Sequence, residues 1–229
     1  SKTTIPRGGI TADAINGTLI ADDAINSEHY TDGSIDTAHI GDNQVTAAKA
    51  TGVGGLVYVG GASVVNTNTS QVNVDSVFSS SYRNYKIFIE ATSNTNTDDI
   101  RLKLRNSSGD ISVSSQLYTV LFGGAQNGNV QAGTQTQSDY WRLFENTFNQ
   151  SNSDYPVCTC EITIYAPNVS SDITHMTFIG SYKHSGGEER TRYGSMLLNN
   201  QQAVTGLALV SSSGDINDTQ IKVYGMVDS

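Results

Sequence analysis

The chain has 229 residues, a formal net charge of −9 and only 15 % charged residues, a length that suits one sizeable domain plus an appendage. With 13 Lys and Arg against 22 Asp and Glu, it offers no cationic stripe to displace phosphate counterions, which excludes nucleic acid as a partner. No apolar run is long enough for a signal peptide or a membrane span, so membrane insertion is not expected.

Residues 1–50 carry a spacing that neither a helix nor a strand explains. Apolar residues stand at every fifth position: Ile5, Ile10, Ile15, Ile20, Ile25, Tyr30, Ile35, Ile40, Val45 and finally Ala50. Positions five apart diverge by about 140° on an α-helix and lie on opposite faces of a strand. The chain must therefore turn once per repeat, and the intervening Asp, Asn, Gly and Ser suit turns. One large apolar residue in five is too little to build a core within one chain. Coiling the segment on itself would bury Asp13, Asp23 and Glu28 at the positions two before the central residues, at a cost of several kcal/mol for each unpaired carboxylate. Three chains sharing an axis avoid this, since each layer then holds three apolar side chains worth roughly 2 kcal/mol each. The segment reads as the stem of a homotrimer, with a disordered polar arm as the plain alternative. The opening SKTTIPRGG is what a chain made in the cytoplasm shows once its initiator Met is removed.

Residues 51–55, Thr-Gly-Val-Gly-Gly, form an uncharged junction. From residue 56 the texture becomes short alternating runs separated by Ser, Asn and Gly. The pattern predicts strands at 56–60, 71–78, 85–92, 100–105, 117–122, 140–145, 157–165, 173–182, 192–198, 203–210 and 220–227, and no helix. The fold class is all-β: an extended, intertwined trimeric stem followed by a jelly-roll-like β-sandwich over residues 56–229. In 157–165, alternation puts Cys158, Cys160, Ile162 and Ile164 on one face. Cysteines two apart in a strand are badly aimed for a disulfide, so they read as core thiols.

Catalysis needs a constellation. Asp139, Glu145, Asp154, Glu161, Glu188 and Glu189 are available for glycoside cleavage, but nothing pairs any two of them. A Ser/His/Asp triad using His175 or His184 lacks a strand–turn–helix elbow. His29 and His39, ten apart and each before a stem apolar position, would gather as three imidazoles per layer on a trimer axis, yet they read better as solvated histidines. No catalytic residue, metal or cofactor is expected. Glycan binding suits the composition better, because sugars take aromatic faces with Asn, Gln and Arg beside them. Tyr140, Trp141 and Arg142 offer that pairing, with Trp141 equally readable as a core anchor, as do Tyr82-Arg83-Asn84-Tyr85. The long polar loop 123–139, with Gln126, Asn127, Asn129 and Gln135, and the loop carrying His184 and Arg190 are the further contact candidates.

The stretch DAINGTLIADDAINSEHYTDGSIDTAHIGDNQVTAAKA resembles the pentad and decad stems of tailed-bacteriophage fibres, especially of marine and cyanobacterial phages. AVTGLALVSSSGDINDTQIKVYGMV is similar to the closing strands of the β-sandwich tips on such fibres. The resemblance implies a homotrimeric virion fibre, made in the host cytoplasm. Its N-terminal stem would attach to other virion proteins of the tail or capsid, and its tip would bind a host-surface glycan or outer-membrane component. A capsid-decorating head fibre or a tail adaptor is the alternative it leaves open.

Overall fold

The computed structural model describes residues 8–9, 18, 20–21, 24–36, 38–41, 44–45, 55–112, 122–126, 129–133, 139–147, 158–198 and 200–227. The chain divides into two units, Ser1–Thr51 and Gly52–Ser229.

In the first unit the backbone turns at five-residue intervals. The amides of Ala24, His29, Ser34, His39 and Gln44 donate to the carbonyls of Ala21, Asn26, Thr31, Asp36 and Gly41, at 2.9 to 3.2 Å. Each turn delivers the next apolar residue: Ile25, Tyr30, Ile35, Ile40, Val45. The Asx side chains do what their type favours in a turn. Asn26 Oδ1 accepts from the Glu28 amide and Asp36 Oδ1 from the Ala38 amide. His29 Nδ1 and His39 Nδ1 fold back onto the same oxygens at 2.7 and 2.8 Å, so both imidazoles belong to local turns. Ser27–His29 is a single 3-10 turn. Ile20, Ile25, Tyr30, Ile35, Ile40 and Val45 are all exposed in the single chain, between 37 and 57 %. Ile5, Ile10 and Ile15 lie outside the described residues.

The second unit is all-β. Its strands are β1 (Leu56–Val64), β2 (Gln71–Val74), β3 (Asn84–Ser93), β4 (Asp98–Asn106), β5 (Gly109–Asp110), β6 (Phe122–Gln126), β7 (Asn129–Gly133), β8 (Trp141–Thr147), β9 (Cys158–Tyr165), β10 (Thr174–Lys183), β11 (Glu189–Leu198), β12 (Gly206–Ser211) and β13 (Ile216–Met226). One sheet runs β1-β13-β3-β9-β10-β11; the other runs β2-β12-β4, with β5 and β8 sharing the far side of β4. The pairing is nested, β1 with β13, β2 with β12, β3 with β9 and β4 with β8, and successive pairs fall in alternate sheets.

The sheets face each other across one core. Ile87, Ile89, Ile162 and Ile164 meet Leu102, Leu104, Leu207 and Leu209 there, each fully buried side chain contributing roughly 2 kcal/mol. Cys158 and Cys160 are free, buried thiols on the core face of β9, and burial pushes both far up from the ordinary thiol range. In β4 the residues Ile100, Leu102 and Leu104 point inward. Arg101, Lys103 and Arg105 point outward, where they are ion-paired to Asp99, Asp139, Asp75 and Asp110 rather than merely solvated. The bond from Asp75, with the charges of Asp75 and Asp110, raises Arg105 despite its partial burial.

Two expectations need correction. The stretch 123–139 is not one loop, since β6 and β7 pair as a hairpin from Phe122↔Gly133 to Gln126↔Asn129. Asn127-Gly128, the dipeptide between the two strands in sequence, is of the type that most favours a two-residue hairpin connection. In the strand expected at 117–122, Phe122 instead opens β6, and 117–121 lie outside the described residues.

Candidate functional site

The candidates from the sequence fall at two opposite ends of the six-stranded sheet. Between Cys158 and Tyr165, the ends of β9, the strand rise gives about 23 Å.

At the Cys158 end each sheet carries its own group of ion pairs. Arg101 and Arg142 stand opposite each other in register and share Asp99, whose Oδ2 lies 3.3 and 3.0 Å from their nitrogens. Arg142 also donates to Glu145 at 2.8 Å, and the Arg101 guanidinium stacks 4.1 Å from the Tyr140 ring centroid. From the other sheet, His184 Nδ1 meets Glu188 at 3.0 Å and Arg190 approaches the same carboxylate. The turn between β10 and β11 is pinned to β8 by the Ser185 amide donating to Asn146 O at 2.7 Å. Arg192 is buried, and burial pushes it down while the charges of Tyr182 and Glu145 oppose that. Tyr182 is raised, again chiefly by burial.

Tyr140 and Arg142 on one sheet and His184 and Arg190 on the other are thus half-buried, the cations held in ion pairs and Tyr140 stacked by Arg101. Trp141 is 1 % exposed and fills the core, so its ring is no platform for a sugar. Asn127 and Gln135 lie outside the described residues. Gln126 and Asn129 pair at the tip of the β6–β7 hairpin. Among the described residues no cluster of three metal-ligating side chains occurs.

At the Tyr165 end the surface is concave. Asn84, Tyr165 and His175 form one transverse row across β3, β9 and β10. Two adjoining depressions of about 580 and 360 Å³ share Tyr165 and His175. The larger takes in Arg83, Asn84, Asp172 and Gln201, the smaller Thr177, Ser195 and Leu197. Arg83 Nη2 donates to Asp172 Oδ2 at 3.0 Å, and Gln201 Nε2 donates to Ser171 O at 2.8 Å.

The backbone around this groove is firmly held. The Tyr85 hydroxyl donates to Ser79 O and accepts from Ser79 N, both at 2.8 Å, which closes the turn that presents Arg83 and Asn84. The Tyr82 ring lies flat against Gly225, where a Cβ would come within 2.3 Å of it. Ala166 adopts φ 50° and donates its amide to Arg83 O at 2.9 Å. A left-handed non-glycine residue costs about 1 kcal/mol, and such strain persists where the surroundings impose it.

No family model and no curated protein matches this sequence. The fold and the side chains therefore carry the functional reading. Tyr82-Arg83-Asn84-Tyr85 had the right chemistry in sequence. Its groove partners Tyr165, Asp172, His175 and Gln201 come from separate segments that only the strand order assembles.

Proposed function

We propose that the chain is the protomer of a homotrimeric virion fibre. Residues 1–50 form its intertwined stem and attach it to tail or capsid proteins; residues 56–229 form a jelly-roll tip that binds a host-surface glycan or outer-membrane component. One observation carries the reading: six large apolar residues at five-residue spacing, each exposed in the single chain, with a backbone turn between every consecutive pair. A lone chain gains nothing from that arrangement, whereas three chains on one axis would bury each layer. The nested pairing of β1–β13, β2–β12, β3–β9 and β4–β8 supports the jelly-roll reading, as one long antiparallel ribbon folded over into two sheets. In that reading β5 to β7 and β10–β11 are insertions.

The Tyr165 groove supports the binding role. Its half-exposed aromatic ring, the Arg83–Asp172 pair and the amides of Asn84 and Gln201 supply the apolar face and the alternating donors and acceptors that a sugar ring needs. Asp172 is the one carboxylate among the described residues lining it, and glycoside cleavage works with two. Weak sites repeated three times on one rigid fibre gain avidity.

Static light scattering of the full chain tests the oligomer: a mass three times the 24.4 kDa chain is expected, and a single-chain mass would end the fibre reading. A glycan array probed with the labelled protein tests the groove. Tyr165→Ala is expected to remove at least nine-tenths of the signal; signal that survives both Tyr165→Ala and Arg83→Ala places the site elsewhere, and an array on which nothing binds favours the adaptor role.

A further inference from the structure

Past the Tyr165 groove, the outward side chains of β10 and β11 stand in transverse rows set by register. His175 and Leu197 border the groove in one row, and Thr177 and Ser195 follow in the next. Ile179 and Tyr193 make the third row, Ser181 and Thr191 the fourth. Bulky rows thus alternate with hydroxyl rows, about 6.6 Å apart along the strands. Ile179 and Tyr193 are 55 and 46 % exposed. Beyond that ridge lies a further depression, of about 310 Å³, that shares no residue with the groove. Phe88 and Ile179 give it apolar sides, Ser181 and Thr191 give hydroxyls, and Glu90 and Glu161 give carboxylate acceptors. Thr159 lines it from β9, and between Tyr165 and Thr159 on that strand the rise gives about 20 Å.

We infer that this depression is a second saccharide subsite, and that the surface between it and Tyr165 carries one linear, uncharged polysaccharide chain along β10. The continuation rests on the glycan reading of the Tyr165 groove. A pyranose ring has an apolar C–H face and a rim of hydroxyls, and the rows meet the chain with the same two chemistries in turn. Thr177 and Ser195 offer hydroxyls, Ile179 and Tyr193 an apolar ridge, Ser181 and Thr191 hydroxyls again. Tyr165 at one end and Phe88 at the other supply aromatic faces. Charge selects against an acidic chain. Arg83 and Lys86 are ion-paired with Asp172 and Glu161. Lys222 and Lys183, at the margins, are offset by Glu90 and Glu189, so these residues hold no surplus positive charge for a carboxylated or sulfated sugar. A chain long enough to span both subsites gains from each, as two linked sites do.

The test titrates the full chain with cellobiose and cellohexaose, chitobiose and chitohexaose, and mannobiose and mannohexaose, read by saturation-transfer NMR. The mannuronate hexasaccharide serves as the acidic counterpart. At least one uncharged hexasaccharide is expected to bind roughly tenfold or more tighter than its disaccharide. Glu90→Ala/Ile179→Ala is expected to bring that hexasaccharide down to the disaccharide's affinity and to leave the disaccharide unchanged, while Tyr165→Ala removes both. Glu90 and Ile179 are exposed, so the double variant keeps the sandwich core, which circular dichroism checks. Equal affinities for the two lengths, or a hexasaccharide advantage that survives the double variant, overturns the second subsite and leaves the Tyr165 groove standing. If neither length binds in any series, or binding is indifferent to Tyr165→Ala, the groove reading itself fails and the second subsite with it. Mannuronate hexasaccharide bound more tightly than the uncharged hexasaccharides overturns the assignment of an uncharged chain. Should the double variant lose its sheet signal, Ile179→Ala alone takes its place and is judged the same way.

Discussion

Replacing Ile20 and Ile25 with aspartate is expected to turn a three-chain species into single chains at low micromolar concentration, with the β-sheet signal of the sandwich unchanged. The size of the effect follows from symmetry. Two substitutions per chain remove six isoleucine side chains per trimer, at roughly 2 kcal/mol each about 12 kcal/mol of burial. They also place two rings of three carboxylates near one axis, where like charges repel and desolvation is opposed. Nothing in the single chain compensates for or suffers from the change, because Ile20 and Ile25 already stand open to solvent there and the local turns are closed by backbone groups. The sandwich has its own core and no need of either residue. Light scattering reads the mass and far-UV circular dichroism the fold. An unchanged mass at low concentration would sink the axis assignment and leave the oligomer to the tip alone. Ser34→Asp, off the apolar fifth positions, should by contrast leave the mass untouched.

Much of this fold was legible because alternation is a strong signal where one face is buried. In β4 the Ile100, Leu102, Leu104 side and the Arg101, Lys103, Arg105 side separate as the sequence implied, and in β9 the two cysteines fall with Ile162 and Ile164 on the core face. Alternation fails where the ladder is irregular. β8 slips in register against β4 between Ile100 and Arg101, so Trp141, Leu143 and Phe144 are all buried, and of the two roles the sequence left open for Trp141 the core one holds. β2 stops at Val74 instead of continuing to Phe78, as Ser76 takes φ 58°. β1 runs on to Val64, past a bulge between Tyr58 and Gly60. The candidate loops misled for a different reason. Polar composition suggested an open contact surface, yet Arg142, Arg190 and His184 each find a carboxylate. Pairing over long sequence separations has no local signature. The groove is legible only in its Arg83-Asn84 part, since Tyr165, Asp172 and His175 reach it through the order of β3, β9 and β10.

Asp98 is where the tip itself should be most vulnerable. It is wholly buried at the start of β4, and the turn after β12 closes around it. Oδ1 accepts from the amides of Ser212 and Ser213 at 2.9 and 3.0 Å and from Ser212 Oγ at 2.8 Å. Oδ2 accepts from Ser211 Oγ at 2.6 Å and Ser93 Oγ at 3.0 Å. Burial alone would raise this carboxyl, but the bonds from Ser211, Ser212, Ser213 and Ser93 together outweigh it and hold Asp98 below its ordinary value of 3.8. A folded value below the unfolded one means the carboxylate stabilises the protein above the unfolded value, and that this contribution is lost as pH falls through the folded one. Asp98→Ala leaves these five donors and the more distant Ser213 Oγ, at 3.4 Å, facing an empty site and is expected to cost about 3 kcal/mol or more at neutral pH, since bonds to a charged acceptor are worth about 1.5–3 kcal/mol each and the stranded donors stay desolvated. Asp98→Asn keeps an oxygen for the two amides, while its nitrogen donates to the hydroxyls of Ser211 and Ser93 once these rotate. It should cost about 1–2 kcal/mol and flatten the acid limb of the stability curve. Urea unfolding across the acid range separates the two effects. A steep acid limb that persists in Asp98→Asn would assign the pH dependence to other carboxylates, and an Asp98→Ala loss below about 1 kcal/mol would mean that the serine turn reorganises freely without its anion.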